Sequence, residues 1–131
     1  MQNGLLLFAH GARDPRWAEP FMAVTEQARD RGAALDPPLQ VAISFLEFMQ
    51  PGLLDAGLSL AEAGCTAVDV VPLFLGAGGH VRKDLPLLLD QLRSQYPSVA
   101  WTLRPAVGEA REVITAMASV ASSWAVPAQS G

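Results

Sequence analysis

The stretch AVDVVPLFLGAGGHVRKDLP, residues 67–86, decides how the rest of this chain is read. Its first half is a β-branched apolar run (Val68, Val70, Val71) that passes through Pro72 into Leu73, Phe74 and Leu75. Its second half is a glycine cluster that delivers His80. A β-branched apolar run of this kind suits a buried strand. Glycines after a strand let the backbone turn sharply or come close to a ligand. The pattern therefore predicts a core strand emptying into a loop that carries a histidine. Beyond it, Leu85, Leu88, Leu89, Leu92 and Tyr96 recur at offsets of 3, 4, 7 and 11, which predicts a helix closed by Pro97.

The flanking chain repeats this strand-then-helix unit. Leu5 to Ala9 is a continuous apolar run and is read as the first strand, ending in the loop from His10 to Arg16. Phe21, Val24, Thr25 and Ala28 follow at helical spacing as far as Gly32, and Asp36, Pro37 and Pro38 break that helix. Val41, Ile43 and Phe45 form a second strand that ends at Leu46, Glu47 and Phe48. Pro51 suits the first turn of the next helix; Leu54, Leu58 and Ala61 mark one face of it, and Gly64 stops it. Val99 to Leu103 reads as a fourth strand, and Val113, Ile114, Met117, Val120 and Trp124 line a last helix. Strands alternating with helices imply right-handed βαβ crossovers and a parallel sheet. The predicted fold is α/β: a flavodoxin-like three-layer αβα sandwich with a four-stranded parallel sheet in the order 2-1-3-4. One domain is expected over residues 1–126, with a frayed tail at 127–131.

Composition narrows the function. Half of the 131 residues are hydrophobic and 17% are charged, enough apolar material for one core and too little charge for a disordered chain. The net charge of −4 argues against nucleic acid as a partner. One cysteine, Cys65, excludes an internal disulfide and a cysteine-rich zinc site, and fits a reducing, cytoplasmic setting. The apolar run at residues 5–9 is too short for a signal peptide or membrane span.

In a doubly wound sheet, ligands bind at the carboxyl ends of the strands, where the strand order reverses. With the order 2-1-3-4 that point lies between the first and third strands. Both histidines follow those strands, His10 after the first and His80 after the third, and Glu47 follows the second. Five of the nine basic residues, Arg13, Arg16, Arg82, Lys83 and Arg104, also fall just after strands, a locally positive rim suited to an anionic ligand. Each group has a plainer alternative: a histidine as a turn or helix cap, Glu47 as a solvated acid, the cations as ordinary surface. Phe45, Phe48, Phe74, Leu75 and Trp17, the apolar residues beside these polar groups, fit core better than ligand wall, Phe45 and Phe74 most clearly. The glycine cluster has neither a Gly-Lys-Ser/Thr ending nor the spacing of a dinucleotide fingerprint, and a Gly-x-Ser-x-Gly elbow is absent. His10-Gly11 is similar to the phosphohistidine loop of phosphoglycerate mutases, but Ala9 stands where that loop has arginine.

Three segments in order, His10-Gly11-Ala12-Arg13, Phe45-Leu46-Glu47, and Val71 to Leu75 followed by Gly79-His80 and Asp84-Leu85-Pro86, resemble the short form of the CbiX/SirB family. These are class II chelatases that insert a divalent metal into sirohydrochlorin, and the resemblance spans Leu5 to about Val120. It implies a flavodoxin-like unit that pairs as a homodimer, with metal held by His10 and His80 and with Glu47 nearby. Ala12 stands where many members carry serine, and there is no histidine-rich tract. On this reading Co²⁺, Fe²⁺ or Ni²⁺ is a substrate and no organic cofactor is needed. Imidazole suits these metals and accepts protons near neutral pH. Arg13, Arg82 and Lys83 are expected to pair the acid arms of the tetrapyrrole, and the loop containing Gly78 and Gly79 to approach its ring. Two other classes use the same residues: a non-catalytic metal carrier or sensor, and a phosphate-ester enzyme with His10 as nucleophile.

Overall fold

The fold comes from a computed structural model that describes residues 2–76 and 78–125, apart from the side chains of residues 79–81. In chain order it runs β1 (Asn3–Ala9), a 3-10 turn (Pro15–Ala18), α1 (Glu19–Ala33), β2 (Gln40–Phe45), α2 (Leu53–Glu62) and β3 (Ala67–Pro72). Then come α3 (Gly79–Gln95), β4 (Ala100–Leu103), a second 3-10 turn (Val107–Glu109) and α4 (Arg111–Ala125). The four strands are all parallel in the order β2-β1-β3-β4, the predicted topology. The tail from 127, and the end of the expected domain at 126, lie outside the described residues.

Side chains alternate across the sheet, and each face collects its own core. Leu7, Ala9, Ile43 and Phe45 are buried on one face, with Trp17, Phe21 and Ala28 packed against them. Leu6, Phe8, Val68 and Val70 join the larger core on the other face with Leu53, Ala56 and Leu60 of α2 and Leu85, Leu89 and Leu92 of α3. Burial of Leu89 and Leu92, at 1% and 0% exposure, confirms the leucine periodicity read for α3.

Four local expectations need correction. The buried stripe of α2 is Leu53, Ala56, Gly57 and Leu60, whereas Leu58 is exposed. This helix is apolar around much of its circumference, so spacing alone did not select the face that meets the sheet. Pro51 precedes α2, whose N-cap is Gly52. Val24 of α1 faces solvent at 45% exposure. Finally, α3 starts at Gly79, so the backbone of His80 lies in its first turn rather than in a glycine loop.

The layer beside α1 is incomplete. Leu5, Leu7 and their register partners Asp69 and Val71 share one face, yet α1 covers only the β1–β2 part of it. Asp69 and Thr102, paired across β3 and β4, stay accessible, and Asp69 accepts a hydrogen bond from Arg104 Nε at 2.9 Å. The last helix, α4, buries none of its residues: Ile114, Met117, Val120 and Trp124 are 40–84% exposed.

Truncating Leu92 to alanine should cost about 2–5 kcal/mol, because the gap opens between α3 and the sheet where the site is not built; urea unfolding would measure it. Burial pushes the Cys65 thiol up from its ordinary range. Both folded and unfolded chains hold the protonated thiol at neutral pH, and the unfolded chain ionises first as pH rises. A thiol reagent should therefore leave Cys65 unmodified in the native protein and react on unfolding, and this contribution to stability should decline only above the normal thiol range.

Candidate active site

The site is built outward from the carboxyl end of β1, which pairs with β2 on one side and β3 on the other. Toward β2 the pairing continues past the strand ends: Leu46 N–H donates to Ala9 O at 2.9 Å, and Glu47 N–H donates to His10 O at 3.0 Å. Toward β3, Leu73 N–H donates to Phe8 O at 2.7 Å. These bonds fasten the three loops that follow β1, β2 and β3 to one another.

Gly11 makes the closest of these approaches. Its φ is +87°, and a Cβ there would coincide with the Glu47 carbonyl oxygen. A side chain is excluded twice over, by backbone conformation and by space. The loop of His10 can lie against the loop of Glu47 because this residue is glycine.

The His10 imidazole is exposed, yet it is not loose. Its ring centroid lies 4.3 Å from that of Phe74, with the planes at 32°. Phe74 is buried at 4% exposure and also meets Phe8, centroid to centroid at 5.9 Å. Its own position is fixed from the far side, where Gly108 N–H donates to Phe74 O at 2.8 Å. The β3 exit thus forms a floor under the histidine that follows β1.

Beyond Glu47 the backbone is strained. Phe48 has φ +66°, and Met49 N–H donates to Glu47 O at 2.8 Å across it, the hydrogen bond of a γ-turn in its strained form. A left-handed backbone on a bulky residue costs of order 1–3 kcal/mol. The Phe48 ring is 58% exposed, and the Arg13 guanidinium carbon sits 5.0 Å from its centroid. Arg13 is therefore tied to the Glu47 loop through a cation–π contact.

The expected cationic rim divides. Arg16 pairs with Asp14 at 3.1 Å; its side chain and then its backbone N–H hold the Asp14 carboxyl below the usual carboxylate range. Arg104 is engaged by Asp69. Arg13, Arg82 and Lys83 remain exposed, and Arg82 lines a cavity of about 220 Å³ with Phe74, Leu85 and Glu109. On the β2 side, Phe8, Phe45, Leu46, Leu53 and Leu88 line a second cavity of about 330 Å³. Gly78 is the N-cap of α3.

The structure thus joins the loops that carry His10, Arg13 and Glu47. It sets the backbone of His80 one strand away, in the first turn of α3 beyond β3, while the His80 side chain lies outside the described residues. Among the described residues no three His, Cys, Asp or Glu groups cluster as a metal site. Trp17 packs against the core as expected, its ring 4.5 Å from that of Phe21, whereas Phe48 and Leu75, also expected in the core, are 58% and 72% exposed because both sit in loops beyond the strand ends. Sequence reasoning missed the supporting role of Phe74 under His10 and the strained turn at Phe48. The first is a contact between residues 64 positions apart in sequence, and the second is a φ angle that no residue type announces.

A profile of the CbiX family matches residues 4–123. The chain is 30% identical over 117 residues to a sirohydrochlorin ferrochelatase of Bacillus subtilis, covering 89% of this chain and 43% of that protein. It is 34% identical over 97 residues to a sirohydrochlorin cobaltochelatase of Saccharolobus islandicus, covering 71% of each. Among solved structures, a CbiX protein of Marinobacter aquaeolei assigned to cobalamin biosynthesis superposes with a TM-score of 0.78 at 29% identity, over 93% of this chain and 96% of that one. SirB from Bacillus subtilis with Fe³⁺ gives 0.80 at 27% identity, over 97% of this chain and 49% of that one. The chain therefore spans about half the length of the Bacillus proteins it matches.

Replacing Gly11 by alanine should separate the two loops. We expect a loss of about 1–2 kcal/mol in urea unfolding.

Proposed function

The chain belongs to the CbiX family, and from that premise we propose that it inserts a divalent metal, Co²⁺, Fe²⁺ or Ni²⁺, into sirohydrochlorin, with no organic cofactor. The observation that carries the reading is the joining of the His10 and Glu47 loops at the carboxyl edge, beside the strand that leads to His80. The names of the relatives, ferrochelatase and cobaltochelatase, support the substrate and leave both metals open. The product serves sirohaem, cobalamin or a related tetrapyrrole.

Metallation breaks two pyrrole N–H bonds, binds M²⁺ to the ring nitrogens and releases two protons. A chelatase must hold a partly dehydrated ion and then let it go. His10 and His80 are assigned as its ligands, since imidazole binds these borderline ions without trapping them and takes up protons near neutral pH. Glu47 serves as an auxiliary ligand or proton acceptor. The floor provided by Phe74 fixes the plane of His10, which limits the entropy lost when the ion binds. Arg13, Arg82 and Lys83 meet the carboxylate arms, and Gly78 and Gly79 allow the ring to approach the start of α3.

The same reading includes a homodimer, formed through the apolar face of α4. Two observations support it: that face is exposed along its length, and SirB, about twice as long, matches this chain over half of itself. A cytoplasmic location, without nucleic acid or membrane as partner, completes the reading; among the described residues no helix is long and apolar enough to cross a membrane.

An anaerobic absorbance time course of sirohydrochlorin with each metal in turn tests the activity. Turnover with at least one metal is expected, and His10→Ala or His80→Ala should slow it by about a hundredfold or more. His80→Ala acting at the wild-type rate would overturn the assignment, and tight cobalt binding without any turnover would favour the carrier. For the dimer, sedimentation at micromolar concentration should give twice the chain mass, and Met117→Glu with Trp124→Glu should return it to a monomer.

A further inference from the structure

We infer that Phe48 is a stacking platform for the flat face of the macrocycle and that it presents Arg13 to one of the carboxylate arms; this rests on the chelatase reading above. Four observations converge on it. The ring is more than half exposed, at 58%, whereas Phe8, Phe45 and Phe74 are 0–5% exposed and Phe21 is partly buried against the core. Its backbone is held at φ +66°, a conformation that L side chains rarely adopt and that glycine would adopt freely. It follows Glu47 directly, and Glu47 is hydrogen-bonded to His10, so the ring stands at the mouth of the proposed metal site. Lastly, the Arg13 guanidinium lies over it at 5.0 Å.

A strained, solvent-facing aromatic does nothing for the core and burdens the turn that carries it. Its use is as a surface. Aromatic rings stack on planar conjugated ligands whatever their substituents, which suits a macrocycle that must slide over the metal and leave again. Stacked on the ring, Arg13 is less free to rotate, and its guanidinium fork matches a carboxylate geometrically. Leu46, two residues before Phe48 in the same loop, is 37% exposed and adds apolar surface beside it. The charge fits as well, because an anionic ligand is drawn to the free cations at this edge although the chain is acidic overall.

The test measures sirohydrochlorin binding to metal-free protein by absorbance or fluorescence titration, alongside steady-state metallation. Phe48→Gly, which relaxes the turn and removes the ring, should weaken binding and raise KM for sirohydrochlorin by about tenfold, with kcat within about twofold of the wild type. Phe48→Trp should restore both, and cobalt affinity measured without tetrapyrrole should be the same in all three proteins. Wild-type binding and KM in Phe48→Gly, with turnover intact, would overturn the platform and leave the chelatase standing. Phe48-dependent binding with no turnover in any protein would support the platform and overturn the chelatase. If the wild type binds no sirohydrochlorin at all, both are wrong.

Discussion

Parallel pairing that runs on past the ends of β1, β2 and β3 is the constraint on which the site depends. β1 is central, so its exit must be compatible with two neighbours at once, and the hydrogen bonds from Leu46, Glu47 and Leu73 meet that demand. In-register backbone bonds define position to a fraction of an ångström where a loop tethered only at its ends would wander. The chemistry-bearing side chains inherit that definition. His10 is supported by Phe74, Phe74 is tied to Gly108, and Arg13 rests on Phe48. Residues from distant parts of the chain are thereby organised by backbone pairing and aromatic contacts.

Topology and the main elements were legible in the residues because they rest on periodicity and on the alternation of strands with helices. The β-branched run at 68–71 and the leucine spacing of α3 point to a strand and a helix, and the order 2-1-3-4 is the common one for a flavodoxin-like sheet. What could not be read has specific causes. In α2 several faces are apolar, so only the sheet could select Leu53, Ala56 and Leu60. The start of α3 was hidden because glycines signal a loop, while a helix N-terminus, whose first N–H groups lack intrahelical partners in any case, tolerates them. The strain at Phe48 is a matter of backbone angle and left no trace in residue type. Two of the five cations expected at the rim are spoken for by Asp14 and Asp69, a pairing that needed coordinates.

One layer of the sandwich is half-built. α1 covers the β1–β2 part of its face, α4 buries nothing, and the ion pair between Asp69 and Arg104 occupies ground a helix would cover in a closed α/β domain. A solvated pair of this sort contributes little to stability. The chain is therefore a complete unit on the α2–α3 side and an open one on the other. This asymmetry fits its relation to SirB, which matches it over half of a longer chain.

Cys65 sits at the opposite end of β1 from His10, packed against Gly4 and Leu60 and sealed from solvent. Seven residues of strand, roughly 20 Å, separate the two ends. Thiolate is the strongest trap for soft and borderline cations that this chain possesses, and it is both protonated and out of reach. On the chelatase reading, an ion arriving at the carboxyl edge would meet only donors that exchange readily, which suits a relay station for metal and not a sink.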